Sequence, residues 1–486
     1  MIGKYAKRII GLILMLTIMS FYGCRGADIT DNNFTETTAA NAATTTVSAT
    51  TDSSDVPGEA EELYVGYARQ NITPTVFPVP FASSDAVGTT SDIYATVIAV
   101  SDGSTKALLI TLDLQTSDDP ILSKTLSIAE NLGVPKENVM VSTTHNHTAP
   151  SYTKTGNANI NLFLEAYYLK IETAIKEALA DMSVCTVKTG VTTTENYAFV
   201  RRYIMQDGSF GGTHVDNPCT VYKDYETKID DTMQVIRFCR EDKKDVLMVN
   251  WQAHPSTARS LDPTKISADY VDMFRKRSEE KYDVHFAFFQ GASGNIVTSS
   301  KIKSDQIFSN YMQLGRGLAE RLEDALSNMS DASVGEIKIN TKNVDMEVNH
   351  TTDHLLAKAK EVKNTTDTAK QKSLCELYGF QSKYEASAII NRAKYGEKET
   401  MSLTTIAFGD LAFVSAPFEM FDTTGMYIKE NSPYKMTFVL SCTNGSFGYV
   451  PSENAFKNGG YEVYTSRFVK GTAEKAAGVL LELLGK

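Results

Sequence analysis

Two histidines separated by a single residue, His145 and His147, follow the apolar run 139–141, which is typical of a buried strand. Imidazole is a common zinc ligand, and residues i and i+2 of an extended backbone point to the same side. We therefore predict that one of the two rings holds a metal ion while the other works beside it. The alternative is an ordinary exposed polar loop at the end of a strand.

Three further polar residues come soon after predicted strands. His254 follows 246–251 and precedes Pro255, which disfavours a helical backbone at the histidine; Glu419 follows 411–415, and Tyr449 follows 437–441. Ligands of open α/β sheets gather at the carboxyl ends of strands, so we expect these side chains to meet His145. The alternatives are a buried histidine bonded to backbone for His254 and a helix N-terminus for Glu419.

Apolar, β-branched runs alternate with helical segments, which is the pattern of the α/β class. The predicted strands are 96–100, 107–112, 139–141, 246–251, 285–289, 336–340, 404–408, 411–415 and 437–441. Apolar stripes at helical spacing predict two core helices, one from Leu164 to Leu179 and one from Ile307 to Leu322. The predicted architecture is a mixed β-sheet flanked by helices, with ligands at the carboxyl ends of strands.

The segment 350–399 differs from its surroundings because it is rich in Lys, Glu and Ala at helical spacing. We predict a helical insertion here, which is a candidate lid for the site. His350 and His354 are four residues apart, a spacing that suits some metal sites, but no third ligand type is near them in the sequence. A solvated surface pair is the favoured interpretation.

The first residues have the composition of a secretory signal. Lys4, Lys7 and Arg8 precede an apolar run, 9–19, that is too short to span a bilayer as a helix. The run ends at Gly23-Cys24, which resembles the bacterial lipobox, so residues 1–23 are predicted to be a lipoprotein-type signal peptide and Cys24 the lipidated residue. We expect an extracytoplasmic protein that is lipid-anchored to the bacterial membrane, or secreted if the lipobox is not used.

Residues 24–59 are rich in Thr, Ala and Ser, with few apolar side chains to offset the entropy of ordering. They predict a disordered tether, and residues 60–486 predict the folded domain. Residues 1–23 carry three positive and no negative charges, so the net charge of −11 becomes −14 without them. This acidic balance argues against nucleic acid as a partner and against charge-driven membrane binding.

Five cysteines remain beyond Cys24, without close pairs or metal-type spacing, so a disulfide framework is not expected. They are interpreted as small buried hydrophobes. No role in the site is assigned to any of them.

Four motifs, in order along the chain, resemble those of the neutral/alkaline (non-lysosomal) ceramidases and their bacterial relatives. The family's His-Thr-His-Ser-Gly-Pro corresponds to residues 145–150, its second histidine motif to 251–255, and its Pro-Gly-Glu-Phe to 417–420. A fourth segment of Asn, Tyr and Tyr-Glu is similar to Asn444, Tyr449 and Tyr461-Glu462. The resemblance covers most of the body of the chain.

The resemblance implies a zinc ion held by His145, His254, Glu419 and Tyr449. It places His147 beside the ligands, where the ring can carry a proton to the leaving group, and it places an arginine and a second tyrosine against the substrate amide. The matching positions are Arg201, with Arg202 as the alternative, and Tyr461. Zinc lowers the pKa of bound water towards about 7, so attack by zinc-bound hydroxide follows from this ligand set. Donors such as Arg201 and Tyr461 stabilise the negative charge that develops on oxygen.

Two departures from the family stand out. Its Gly-Asp-Val-Ser-Pro segment appears here as residues 294–298, so Val297 replaces the serine to which a catalytic role is assigned. Only Ser293 or Ser299 is near enough in sequence to substitute for it. The chain also stops at Lys486, soon after the last motif, so we expect a relative without the C-terminal immunoglobulin-like domain.

Together these features predict an extracytoplasmic zinc-dependent hydrolase of amide or ester bonds, with N-acylated lipids such as the sphingolipid ceramide as the first candidates. The expected partners are a small-molecule or lipid substrate and, through the N-terminal anchor, the membrane. The alternative is a cell-surface ligand-binding lipoprotein that uses the same fold without turnover. A purely structural zinc is less favoured. Structural zinc sites are usually closed by four Cys or His ligands, whereas oxygen ligands and an adjacent histidine suit a catalytic site that keeps one position open for water or substrate.

Overall fold

The computed structural model describes residues 62–486, except residues 82, 83, 154, 155 and 216. All of them belong to one unit, Gly58–Lys486. The predicted signal peptide (1–23), the predicted lipidation site Cys24 and the whole predicted tether (24–59) lie outside the described residues. Within residues 62–486, no helix combines the length and the apolar character needed to cross a membrane.

A large mixed β-sheet, here called the main sheet, forms the centre of the described part of the chain. Its strands are β1 (Leu63–Asn71), β2 (Tyr94–Ser101), β3 (Lys106–Leu112), β4 (Val139–Thr143), β5 (Ser183–Thr193), β6 (Thr232–Arg240), β7 (Val246–Trp251), β8 (His285–Gln290) and β9 (Ser330–Ala332). The spatial order is β8-β7-β6-β5-β1-β2-β3-β4, and β9 pairs with β5. Only the outermost pairs along this order, β7 with β8 and β3 with β4, are parallel.

The main sheet curls until its two edges approach each other. Strands twist by about 20–25° from one to the next, so the orientation changes by roughly half a turn across the sheet. As a result, the Thr111 hydroxyl of β3 donates to the carbonyl of Phe288 in β8 at 2.8 Å. This curl brings the loop after β4 close to the loop after β7, although the two strands are far apart in the strand order.

A second sheet packs on one face of the main sheet. It contains β10 (Lys338–Glu347), β11 (Lys398–Phe408), β12 (Leu411–Ala416) and β13 (Met436–Ser441), in that spatial order, with β12 and β13 parallel. The core between the two sheets includes Met248 and Phe289 of the main sheet and Phe413 and Phe438 of the second. Burial of such apolar surface is worth about 25 cal/mol per Å², which makes this core a main source of stability.

Helices cover the outer faces of both sheets. They are α1 (Ile121–Asn131), α2 (Ala158–Ala180), α3 (Ala258–Leu261), α4 (Tyr270–Tyr282), α5 (Tyr311–Ser327), α6 (Asp353–Asn364), α7 (Thr368–Tyr378), α8 (Lys383–Arg392), α9 (Asp422–Asn431), α10 (Tyr461–Thr465) and α11 (Thr472–Leu483). The apolar faces of α1, α2, α4 and α5 pack on the main sheet, and those of α9 and α11 pack on the second. The result is a four-layer arrangement of helices, sheet, sheet and helices.

Short elements complete the described chain. The short strands are Val79–Phe81, Ser84–Ala86, Gly88–Thr89, Phe199–Val200, Arg202–Met205, Phe210–Gly212, Tyr222–Tyr225, Lys265–Ile266, Ile296–Val297, Glu419–Met420 and Tyr449–Val450. Single turns of 3₁₀ helix lie at Lys136–Asn138, Lys303–Asp305 and Glu453–Lys457.

The predicted α/β class, with a mixed sheet flanked by helices, is confirmed. The sequence analysis did not anticipate a second sheet packed face to face on the first. The prediction that Ile307 belongs to a core helix is wrong, because α5 begins at Tyr311 and Ile307 is 53% exposed. The segment 350–399 contains α6, α7 and α8 between the paired strands β10 and β11. His350 precedes α6, and both His350 and His354 are exposed.

Candidate metal centre

The loops after β4 and β7 bring three histidines together. His145 lies two residues beyond β4 and has a φ of 59°, a left-handed backbone that non-glycine residues rarely adopt outside functional sites. The expected extended backbone at the His145–His147 pair is therefore wrong. The two rings still face each other, with their Nε2 atoms 3.3 Å apart.

A carboxylate from the second sheet joins the imidazoles. One oxygen of Glu419, Oε2, lies 3.2 Å from Nε2 of His145 and 3.2 Å from Nε2 of His254. The ring of His254 lies 4.8 Å from that of His145 and 5.4 Å from that of His147. The two candidate ligands from the main sheet and the one from the second sheet thus meet at a single buried point.

Hydrogen bonds fix the orientation of two of the rings. Nδ1 of His145 lies 2.9 Å from the carbonyl oxygen of Gln115, and Nδ1 of His254 lies 2.9 Å from that of Ile296. A carbonyl only accepts, so each Nδ1 must be the donor. The lone pair of a neutral ring is then on Nε2, which points into the centre. Metal-bound histidines almost always have such a partner on the other ring nitrogen.

The spacing of the atoms fits a metal ion. In a tetrahedral zinc site with bonds of about 2.0–2.1 Å, neighbouring ligand atoms are roughly 3.3–3.4 Å apart. The distances of 3.2 Å from Oε2 of Glu419 to Nε2 of His145 and to Nε2 of His254, and of 3.3 Å between Nε2 of His145 and Nε2 of His147, are close to this value. His145, His147 and His254 form a group able to hold a metal, with ligand atoms all within 4.8 Å of one another.

The protonation of the cluster also suits a cation. Burial, together with the neighbouring histidines, lowers the pKa of His147 well below its usual value, and burial lowers that of His254 to about 4. Burial acts to raise the pKa of Glu419, but His145 and His254 outweigh it and hold this pKa well below its usual value. Neutral rings at His147 and His254 beside an ionised carboxylate suit metal binding. Burial acts to lower the pKa of His145, but Cys442 and Glu419 outweigh it and raise this pKa well above its usual value, so a metal that bound His145 would have to displace its proton.

Tyr449 lies beside Glu419 because the two residues belong to neighbouring short strands. The short strand Glu419–Met420 pairs in parallel with Tyr449–Val450, so these two residues are direct partners. The Tyr449 ring is 8% exposed, and burial raises the pKa of its phenol well above the usual 10. A metal that bound this oxygen as a phenolate would have to displace its proton.

Arg201, and not Arg202, is the arginine beside the tyrosines. The guanidinium carbon of Arg201 lies 5.2 Å from the ring centre of Tyr449 and 5.8 Å from that of Tyr461. Its Nε is 2.7 Å from Oε1 of Glu462, and its Nη2 donates to the carbonyl of Gly294 at 2.8 Å. Arg201 is thus held on two sides, with its cationic face towards the two phenol rings.

Arg202 belongs to the structure behind the site. Its fully buried guanidinium pairs with both Glu226 and Glu462, and Nη1 lies 3.1 Å from Oε2 of Glu462. We call Arg201, Arg202, Glu226 and Glu462 the arginine cluster. Glu462 connects its two arginines, since one oxygen pairs with each.

The loop 294–298 lies beside the site but supplies no hydroxyl at the expected place. Val297 is half-buried in the short strand Ile296–Val297, which pairs with Phe199–Val200. Ser293 is fully buried, and its Oγ has no hydrogen-bond partner among the described residues, whereas Ser299 is exposed. The backbone of this loop serves the site instead, because the carbonyl of Ile296 orients His254.

Sequence analysis missed several contributors to the site. The Sγ of Cys442 lies 3.4 Å from Nδ1 of His145, and Cys442 has a φ of 54°. His214 stacks on Tyr384 of the insertion at 4.1 Å and lies 5.1 Å from Tyr461. No spacing signals these contacts, because each depends on a loop conformation.

Comparisons by sequence identify no relative. No protein-family model matches the chain, and no curated protein matches it in sequence.

Comparison by structure gives a different result. The model superposes on the crystal structure of neutral ceramidase from Pseudomonas aeruginosa with a TM-score of 0.65 and 15% identity, over 88% of this chain and 74% of that one. A structure described as ceramidase complexed with C2 gives a TM-score of 0.66 and 14% identity, over 87% of this chain and 75% of that one. This confirms the resemblance inferred from the four motifs at the level of the fold. The chain has a neutral ceramidase-like fold.

Proposed function

We propose that this protein is a zinc-dependent hydrolase that cleaves an amide bond, with N-acylated lipids such as ceramide as the first substrates to test. The observation that carries the proposal is the convergence of His145, His254 and Glu419, with both Nδ1 atoms bound to backbone carbonyls. The similarity in fold to neutral ceramidase supports the choice of bond. Esters, which react by the same addition to a carbonyl, are the second class to test.

In the proposed site, His145, His254, Glu419 and Tyr449 hold the zinc ion. When bound, zinc polarises a carbonyl and lowers the pKa of water towards about 7. The choice of zinc rests on the resemblance of the motifs to those of the neutral ceramidases, because imidazole and carboxylate ligands by themselves also suit other divalent metals.

The remaining residues position the substrate and move protons. Arg201 and Tyr461 present hydrogen-bond donors on the same side of the centre, and such donors stabilise the oxyanion that forms on addition to a carbonyl. His147 takes a proton from the attacking water and passes it to the leaving nitrogen. None of these steps needs the hydroxyl that Val297 replaces.

The proposed location is outside the cytoplasm, with the domain attached to the membrane through lipidated Cys24. This part of the proposal rests on the charge pattern and apolar run of residues 1–23 and on Gly23-Cys24. Metabolic labelling with a radioactive fatty acid tests it. Cys24→Ala is expected to abolish the label.

Metal analysis combined with an assay tests the function. We expect about one zinc per chain, hydrolysis of ceramide or a simpler N-acyl amide, loss of activity on chelation, and recovery when zinc is restored. A metal-free protein that also remains inactive after incubation with zinc would disprove the proposal.

A second candidate is a surface ligand-binding protein without turnover, which Val297 favours because it removes a hydroxyl from the site. Saturable binding of an N-acyl lipid, with no product after prolonged incubation of the zinc-loaded protein, would support this alternative.

A further inference from the structure

A cavity of about 270 Å³ lies next to the candidate metal centre, between α8 of the insertion and the segments around residues 447 and 465. Tyr461 lines it, and so does Gly448, which directly precedes Tyr449. The ring of Tyr461 is 5.6 Å from that of Tyr449. The cavity therefore lies on the side of the centre where Tyr461, one of the proposed oxyanion donors, is placed. Its volume is close to the lower limit of small-molecule pockets, about 300 Å³.

The cavity is lined mainly by hydrogen-bond donors. Its polar side chains include Tyr384, Ser387, Asn391, Arg392, Tyr395 and Arg467. No Asp or Glu is among the described residues that line it. A long hydrocarbon chain here would displace water from the polar groups that the protein does not already pair, such as the remaining donors of Arg467, which costs free energy. Oxygen atoms of a ligand would satisfy them.

Two arginines are the charged residues among those that line the cavity. Arg467 is sandwiched by aromatic rings, with its guanidinium carbon 4.3 Å from the ring centre of Tyr395 and 5.5 Å from that of Phe447. One of its nitrogens pairs with Glu399 at 3.0 Å, which uses only part of its donors. Arg392 is 8% exposed and donates from Nη1 to two backbone carbonyls, which fixes its guanidinium in the cavity wall.

The insertion that forms one wall is fixed to the site rather than loosely placed over it. The side chain of Gln381 accepts from the backbone N–H of Gly460 at 2.6 Å, one residue before Tyr461, and donates to the carbonyl of Asn458 at 3.1 Å. Ser382 and Tyr464 are joined through their hydroxyls at 3.2 Å. The cavity wall and Tyr461 thus form one hydrogen-bonded unit.

We infer that this cavity binds the amine portion of the substrate, and that this portion is a small, oxygen-rich head group carrying hydroxyl or carboxylate oxygens. The inference rests on the proposed function, because it assumes that an amide is cleaved beside Tyr461. It places N-acyl amino alcohols and N-acyl amino acids with a small amine portion ahead of ceramide, whose amine portion is a long-chain base, and it disfavours amides of long-chain alkyl amines.

Three amides with the same dodecanoyl chain test the inference: those of ethanolamine, glycine and propylamine. The first and third have nearly the same size and differ in a hydroxyl. We expect kcat/KM to be at least about tenfold higher for the ethanolamide or the glycine amide than for the propylamide. The better of the two distinguishes a hydroxyl from a carboxylate as the preferred oxygen.

Two variants test whether the preference for oxygen-rich amides arises in this cavity. Ser387→Leu and Asn391→Leu fill the cavity with apolar atoms and are expected to reduce the preference about tenfold, mainly through a higher KM. Ser373→Leu on α7 is the matched control, because Ser373 and Ser387 both donate to the carbonyl four residues earlier, at 3.1 and 3.2 Å, and Ser373 is exposed outside the cavity. The control is expected to keep the native preference.

Calorimetric titration with the same three amides separates the two proposals. If the zinc-loaded protein cleaves none of them but binds the oxygen-rich amides more tightly, and Ser387→Leu removes that difference, the hydrolase proposal fails and the cavity assignment stands. Equal kcat/KM and equal affinity for all three amides would overturn the cavity assignment and leave the hydrolase intact. The same holds if the preference survives in both cavity variants.

Discussion

The candidate metal centre and the arginine cluster lie side by side, and both contain buried charged or ionisable groups. The two regions differ in how these groups are paired. In the arginine cluster two guanidiniums face two carboxylates, and Glu462 pairs with both arginines. In the metal centre one carboxylate faces imidazoles whose Nδ1 atoms are already used, so their lone pairs point into a shared gap. A buried cluster with matched charges is complete by itself. The gap between the unprotonated rings of His147 and His254 and the carboxylate of Glu419 is suited to a cation.

The largest effect is expected from removing one imidazole of the metal centre. His145→Ala deletes a ligand from the centre of the group, so we expect loss of bound zinc and a fall in turnover of more than about a hundredfold. This exceeds the roughly 10–100-fold cost of changing a residue that only orients a ligand. Elemental analysis and an activity assay measure the two effects.

The control for this change is His350→Ala, which removes an exposed histidine far from the centre in sequence. It is expected to keep both zinc and turnover. Retention of a full zinc equivalent by His145→Ala would remove His145 from the ligand set.

Breaking the arginine cluster should lower the free energy of unfolding, and this effect on stability should be larger than any direct effect on the reaction. Arg202→Met leaves Glu226 and Glu462 buried without their shared cation, which typically costs about 3–5 kcal/mol in the free energy of unfolding. Urea denaturation measures this loss. Arg277→Met, which breaks a surface pair with Glu280, should cost less than about 1 kcal/mol. If the two variants are equally stable, the cluster does not have the structural role described above.

Glu462 tests whether the two regions are coupled. Glu462→Gln weakens the ion pair that holds Arg201 beside the tyrosines, and we expect kcat to fall by about tenfold to a hundredfold with zinc content unchanged. Glu226→Gln is the matched control, because Glu226 pairs with Arg202 but not with Arg201. Both variants should lose stability, and only the first should lose kcat. Equal losses of kcat would show that the effect comes from stability alone.

The smallest effect on stability is expected from a third buried ionisable group, the carboxyl of Asp269. The carboxylate of Asp269 accepts from the backbone N–H groups of Thr257, Ala258 and Tyr270, and burial raises its pKa to about 6. The folded state holds this proton more tightly than the unfolded state, whose pKa is near 3.8. The contribution to stability is therefore complete below about pH 4 and is lost as the pH rises through 6.

Unfolding free energies of native protein and Asp269→Asn at pH 4 and at pH 7 measure this contribution. The variant loses acceptor capacity and should be less stable at both pH values. The difference between the two proteins should be larger at pH 4 than at pH 7. A difference that does not change with pH would contradict the raised pKa of Asp269.

The elements that carry ligands were predictable from the sequence because they are buried strands followed by polar residues. The runs 246–251 and 411–415 combine continuous apolar character with an abrupt polar end, and His254 and Glu419 follow them in the structure as expected. The helix from Leu164 to Leu179 was predictable for a similar reason, since its apolar stripe packs on the main sheet.

The pairing of strands was not predictable in the same way. Periodicity shows that a strand is buried, but it does not show which strand covers it, so β12 and β13 gave no sign that they belong to a separate sheet. Backbone carbonyls are equally invisible in a sequence. Gln115 and Ile296 orient the two histidines through their main chains, so their side chains carry no signal of that role.

Asn444 covers part of the edge of the main sheet. Strand β4 is the last strand of the main sheet, and such a strand offers free N–H and C=O groups to which another chain can add. Asn444 binds the N–H and C=O of Val141 and the C=O of Val139, at 2.7 to 3.0 Å. The loop that delivers Tyr449 to the metal centre thereby shields the protein from strand-by-strand aggregation. The same few residues therefore cover the sheet edge and lead the chain towards the candidate site.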